Sequence, residues 1–170
     1  MTQPADPSSR SGATGSAGTQ PAHGDTAQAS PASTEARPRQ AQGYAGDITP
    51  QQAFDWWQQG TAVLVDVRSD AEREWVGFVP GAVALAWKQW PGMAPNDSFD
   101  AAILQAVAGG KKALLLCRSG VRSIAAARRA TELGVEAYNI LEGFEGDADA
   151  VGHRGTRGGW RLRGLPWRQN

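Results

Sequence analysis

The chain has 170 residues, with 17 Lys and Arg against 17 Asp and Glu, and a single cysteine. Balanced charge supplies no global field to gather nucleic acid or an anionic membrane surface, and one thiol excludes an internal disulfide, in keeping with a reducing compartment. No stretch approaches the roughly 20 apolar residues of a membrane-spanning helix, so a soluble, cytoplasmic protein of one domain is expected.

Residues 1–43 contain no Val, Ile, Leu, Phe, Trp or Tyr. A segment with so little to bury cannot offset its ordering entropy, so it reads as a disordered, low-complexity tail. It also lacks the apolar run of roughly 7 to 15 residues that a secretory signal needs. Residues 44–170 read as the folded domain.

"ITPQQAFDWWQQG" offers Thr49 as N-cap, Pro50 at the first helical position and Gly60 as a stop, with Ala53, Phe54 and Trp57 on one face. "AVLVDV", from Ala62 to Val67, is apolar, rich in valine and short, the pattern of a strand buried on both faces. A short helix over "SDAEREWV" begins at Ser69 or Asp70, and "PGAVALAW" follows as turn and strand. Asp97 or Ser98 caps a helix running to Ala108, whose apolar stripe is Phe99, Ala102, Ile103, Ala106 and Val107. "KALLLC" is the next strand, "SIAAARRATELG" an alanine-rich helix closed by Gly134, and "AYNIL" a further strand. Strands alternating with helices predict an α/β domain, a mostly parallel sheet covered on both faces. Of the seven tryptophans, Trp57 and Trp75 occupy helix-face positions suited to packing, and Trp160 and Trp167 suit docking of the C-terminal segment onto the sheet.

The chemistry concentrates in "LLLCRSGVRS", residues 114–123. Cys117 ends a strand and stands before a helix, the position where open α/β sheets bind ligands. The amides of a short strand-to-helix turn can form an anion nest, assisted by the helix dipole, and Gly120 supplies the backbone freedom for it. A lone cysteine at the end of an aliphatic run is otherwise an inert small hydrophobe. Here Arg118 and Arg122 flank the thiol, and neighbouring cations together with a helix N-terminus favour a reactive thiolate.

Three segments together resemble the rhodanese family of sulfurtransferases. "VLVDVRSDAEREWVGFVPGAVAL" is similar to its first signature, "LLLCRSGVRS" to its active-site loop, and "GGWRLRGLPW" to its closing segment. The resemblance runs from Ile48 to Trp167 and implies a three-layer rhodanese-like fold. It implies that Cys117 takes a sulfane sulfur from a small anionic donor such as thiosulfate, forming a persulfide. An external thiol or protein, or cyanide in the test tube, then accepts that sulfur, with no metal or organic cofactor. Cys117 is the expected nucleophile. Arg118, Ser119, Gly120, Val121, Arg122 and Ser123 are expected to hold the donor and the persulfide, Ser119 adding a hydroxyl donor.

The chain departs from the family pattern in two places. Phe78 stands where the family turn usually has histidine, a position more often structural than chemical. Residues 145–157 read as an inserted loop, either a neutral surface excursion or a flap carrying His153, Arg154 or Arg157 to the site. After Asp149 the chain has no acidic residue while Arg154, Arg157, Arg161, Arg163 and Arg168 follow, either a solvated face or an attractor of anions. Asp66 is expected to tie loops together through hydrogen bonds or an ion pair, and Arg68 to be exposed or to lie behind the site; neither is expected to be catalytic.

Two rivals remain. A cysteine phosphatase or arsenate reductase of related fold has five residues between Cys and Arg, whereas Cys117 and Arg122 enclose four. That shorter cradle leaves less room for a tetrahedral oxyanion. A persulfide carrier that docks to a sulfur-metabolism partner would use the same thiol with slow turnover.

Overall fold

The computed structural model describes residues 37–170, so most of the expected tail, residues 1–36, lies outside the described residues. Backbone pairing begins ahead of the expected boundary at Tyr44. Arg39 and Asp47 exchange hydrogen bonds of 2.8 and 2.9 Å in an antiparallel bridge.

The elements in chain order are β1 (Gly46–Ile48), α1 (Pro50–Gln58), β2 (Ala62–Asp66), α2 (Asp70–Val76), β3 (Val83–Ala84), β4 (Lys88–Gln89), β5 (Ala94–Pro95), α3 (Phe99–Ala106), β6 (Lys112–Leu116), α4 (Arg122–Glu132) and β7 (Ala137–Ile140). Strands β1, β7, β6, β2 and β3 form one sheet in that spatial order, every pairing parallel. The α/β architecture with a parallel central sheet is therefore as expected. Three elements were not anticipated, the short β1 and the two-residue strands β4 and β5, which pair as a hairpin.

The starts of α1 and α2 follow the expected cap chemistry, whereas α3 begins after Ser98 without a side-chain capping bond and ends at Ala106, short of the expected Ala108. Thr49 accepts from the Gln52 amide at 3.2 Å. Ser69 forms a reciprocal capping box with Glu72, the arrangement in which two otherwise unpaired donors are satisfied at once.

Alternation along β6 divides the core. Ala113, Leu115 and Cys117 face α3 and α4 with Phe99, Ile103 and Ala126, whereas Leu114 and Leu116 face Ala53 of α1, Phe144 and Trp160. The strand has a residue period of two, so one register serves both layers. Each fully buried leucine contributes about 1.5–3 kcal/mol relative to exposure. The C-terminal segment completes the second layer: Trp160 is fully buried and donates to the Pro166 carbonyl at 2.9 Å.

The structure decides one open alternative and corrects one expectation about single side chains. Arg68 is not exposed but wholly buried, paired with Asp66 at 2.6 Å, with its guanidinium 3.9 Å from the centroid of the Phe144 ring and donating to the Gly77 carbonyl at 2.9 Å. A charged group is tolerated there because a carboxylate, a carbonyl and an aromatic face replace water. Trp75 is not core packing but 67% exposed, because α2 turns that face outward. Phe78 exchanges backbone hydrogen bonds with Arg168 at 2.7 and 2.8 Å, fastening the C-terminus, which fits a structural position.

Candidate active site

β6 ends at Leu116, and the chain turns through residues 117–121 into α4. The loop after β7 braces this turn from behind: the Phe144 amide donates to the Cys117 carbonyl at 2.8 Å and the Glu145 amide to the Arg118 carbonyl at 2.9 Å. Gly143 makes that approach feasible. A Cβ on it would lie 2.5 Å from the Cys117 carbonyl oxygen and 2.6 Å from the Ser119 nitrogen, and its φ is +60°.

Cys117 itself is 1% exposed, at the floor of a cavity of about 410 Å³. Its sulfur receives the Gly120 N–H at 3.2 Å and faces the Ser123 hydroxyl at 3.1 Å. Gly120 adopts φ +85°, the left-handed conformation that aims this amide at the sulfur at low cost for glycine. The sequence-derived site thus separates into two groups. Arg118, Ser119, Val121 and Arg122 line the cavity with Cys117, whereas Gly120 and Ser123 sit beneath the sulfur, buried.

Ser123 is part of a buried chain that sequence reasoning missed. Its oxygen lies 2.6 Å from Asn139 Oδ1, and Asn139 Nδ2 donates to Asp47 at 2.8 Å. Asp47 accepts only, so the Asn139 carbonyl must face Ser123. The one hydroxyl proton therefore has two acceptors. It can serve either the Asn139 carbonyl at 2.6 Å or the sulfur at 3.1 Å, so a hydroxyl donor stands within reach of the sulfur.

The two loop arginines are not free cations. Arg122 donates to Glu72 at 2.8 and 2.5 Å, and Arg118 Nε donates to Glu145 at 3.1 Å. Burial acts to raise the Glu72 carboxyl, but hydrogen bonds from Arg122 and from the Ser69 amide prevail and hold it down at about 2. Arg122 is raised in turn, chiefly by its hydrogen bond to Glu72 and further by the nearby Cys117 sulfur. Glu72 was legible only as an acidic position in a short helix; its partner lies 50 residues away.

Three further walls of the cavity come from distant segments. Ala71 and Trp75 lie on one face of α2, Trp90 and Met93 sit in the β4–β5 hairpin, and Arg154 belongs to the expected insertion. That loop is built around Asp149, whose carboxylate accepts from the amides of Val151 and His153 at 3.0 and 2.8 Å. Of its three candidates, Arg154 reaches the cavity and donates to the Gly146 carbonyl at 2.7 Å; His153 and Arg157 do not line it. The terminal arginines are partly engaged elsewhere, Arg163 with Glu142 at 2.6 Å and Arg161 over the Trp167 ring at 4.4 Å.

Fold and site together define a parallel α/β domain with a cysteine loop at the C-terminal edge of its sheet. The rhodanese-like domain model matches residues 49–150, and the chain belongs to that family. The crystal structure of Rv0390 from M. tuberculosis superposes with a TM-score of 0.67 at 46% identity, covering 75% of this chain and 99% of that one. Thiosulfate sulfurtransferase GlpE of Actinobacillus succinogenes is 30% identical over 121 residues, 71% of this chain and 87% of that protein. A protein of Rickettsia conorii, RC0915, is 35% identical over 115 residues, 62% of this chain and 82% of that protein. Among the described residues, no helix is long and apolar enough to cross a membrane.

Proposed function

We propose that the protein is a sulfurtransferase that moves sulfane sulfur from a donor such as thiosulfate to a thiophilic acceptor through a persulfide on Cys117. The observation that carries this reading is the environment of the sulfur: at the floor of an open cavity, it meets the Gly120 amide at 3.2 Å and the Ser123 hydroxyl at 3.1 Å. Both are hydrogen-bond donors placed where negative charge must reside, which is how an anionic sulfur is stabilised without water.

In the first half-reaction the Cys117 thiolate attacks the outer sulfur of thiosulfate. The bond between the two donor sulfurs breaks, its electron pair departs with sulfite, and the outer sulfur stays on Cys117. In the second, an acceptor nucleophile attacks that sulfur and the electron pair returns to Cys117. With no second cysteine in the chain, the acceptor must come from outside. The ionised partners of Arg118 and Arg122 moderate the positive charge of the loop, so amides rather than bare guanidinium groups supply most of the anion's contacts.

Phosphoryl chemistry is disfavoured by the loop length: Cys117 and Arg122 enclose four residues where the phosphatase cradle of related fold has five, which leaves less room for a tetrahedral oxyanion. The test is thiocyanate formation from thiosulfate and cyanide. Turnover by the wild type that vanishes in Cys117→Ala supports the reading. Hydrolysis of an aryl phosphate dependent on Cys117, without thiocyanate formation, would replace it.

A further inference from the structure

The chemical class of the sulfur acceptor is written in the cavity wall, granted the persulfide reading above. We propose that the acceptor is a small organic thiol whose carbon substituent is apolar, aromatic or bulky aliphatic, received between Trp75 and Trp90.

Size is the first ground. A cavity of about 410 Å³ lies within the range of small-molecule pockets, roughly 300–1,000 Å³. A cyanide or sulfite ion would leave most of it filled with water against indole rings.

Surface chemistry is the second. Trp75, Trp90 and Val121 are 67, 61 and 68% exposed, and all three border the cavity that holds Cys117, together with Met93. The other large exposed apolar side chains, Leu104, Val151 and Leu162, lie outside it. Large side chains left in water around a single nucleophile gain by covering an apolar ligand. The two tryptophans come from different elements held together by Gln89, which donates to Asp70 at the start of α2 at 2.9 Å. The wall is thus braced rather than a chance cluster.

Charge is the third. Glu72 offsets Arg122 and Glu145 offsets Arg118, which leaves Arg154 as the lining cation without an ion-pair partner among the described residues. Such a wall has little to offer a multiply charged acceptor, whereas an apolar body with a single thiolate suits it.

The step balances without an oxidant or reductant. The acceptor thiolate attacks the outer sulfur of the protonated Cys117 persulfide. The sulfur–sulfur bond breaks, its electron pair returns to Cys117 as thiolate, and the outer sulfur leaves with its proton on the acceptor as an organic persulfide.

The full chain is charged with thiosulfate, freed of excess donor and checked for the added sulfur by mass. Loss of that sulfur is then timed with phenylmethanethiol and with 2-mercaptoethanol. The ratio of the two second-order constants is divided by the same ratio for free cysteine persulfide. The corrected ratio is expected to be about tenfold or more, the gain from desolvating a ring in the approach to the transition state. It should fall about threefold or more in both Trp75→Ala and Trp90→Ala, whose largely exposed side chains the fold does not need. A wild-type ratio near one, or a ratio that neither variant lowers, overturns the inference and leaves the persulfide reading standing. A chain that takes up no sulfur overturns both.

Discussion

The Glu72 carboxylate grips the Arg122 guanidinium with two hydrogen bonds, at 2.8 and 2.5 Å, joining α2 to the first turn of α4 beside Cys117. The same carboxylate closes the capping box of α2 through Ser69. One side chain thus fixes two helix starts and offsets the cation nearest the nucleophile.

Glu72→Gln keeps an acceptor for the cap, since glutamine serves in a capping box, but removes the negative charge. The cavity then gains net positive charge, and the KM for thiosulfate should fall about two- to tenfold, the scale of a partly screened charge at close range. Steady-state kinetics at low ionic strength measures this. An unchanged or higher KM would show that Glu72 does not govern the charge the donor meets.

Acid should act through the same pair. Glu72 is held at about 2 against an ordinary 4.5, so the folded protein takes up that proton at lower pH than the unfolded chain does. The stabilisation is complete above pH 4.5 and is lost as the pH falls towards 2. Urea unfolding across that window should show the wild type losing more stability than Glu72→Gln; parallel losses would contradict it.

Asp66→Ala leaves the guanidinium of Arg68 buried with no carboxylate. Both residues are almost fully inaccessible, at 1 and 0%, and removing one partner of a buried pair costs about 3–5 kcal/mol. Chemical denaturation should reveal a loss of that order. A loss below about 1 kcal/mol would mean the pair behaves as if solvated.

Gly143→Ala places a methyl group 2.5 Å from the Cys117 carbonyl oxygen. Backbone cannot yield there without moving the loop that carries the sulfur, and a misplacement of about 1 Å costs on the order of 100-fold in rate. Single-turnover persulfide formation should drop accordingly. Wild-type kinetics in a folded variant would show that the brace behind the loop does not position the thiol.

What the sequence disclosed and what it withheld follow from how far apart the partners lie. β6, the turn and α4 are contiguous, so "LLLCRSGVRS" carries strand end, glycine and helix start within ten residues, and Cys117, Gly120 and Ser123 could be read directly. Glu72, Asn139 and Glu145 reach the site only because β2, β6 and β7 are neighbours in the sheet, a pairing that local pattern does not encode. Trp75 looked like core because helical periodicity reports a face and not what that face meets. Arg68 stayed open between an exposed position and one behind the site because charge is usually solvated, and the partners that bury it are a nearby carboxylate and the ring of Phe144 far along the chain. The strands β1, β4 and β5 were invisible because runs of two or three residues have no period to detect, and unlike the two-residue β3 in the apolar "AVALAW" they are written in Gly, Asp, Lys, Gln and Pro rather than in an apolar run.

The intact mass of the protein after thiosulfate treatment, wild type beside Cys117→Ser, decides whether Cys117 carries the transferred sulfur. A gain of one sulfur atom by the wild type alone is predicted. A wild type that stays unmodified at saturating donor with its thiol reduced, or a serine variant that gains the same mass, would contradict the claim that Cys117 carries the transferred sulfur.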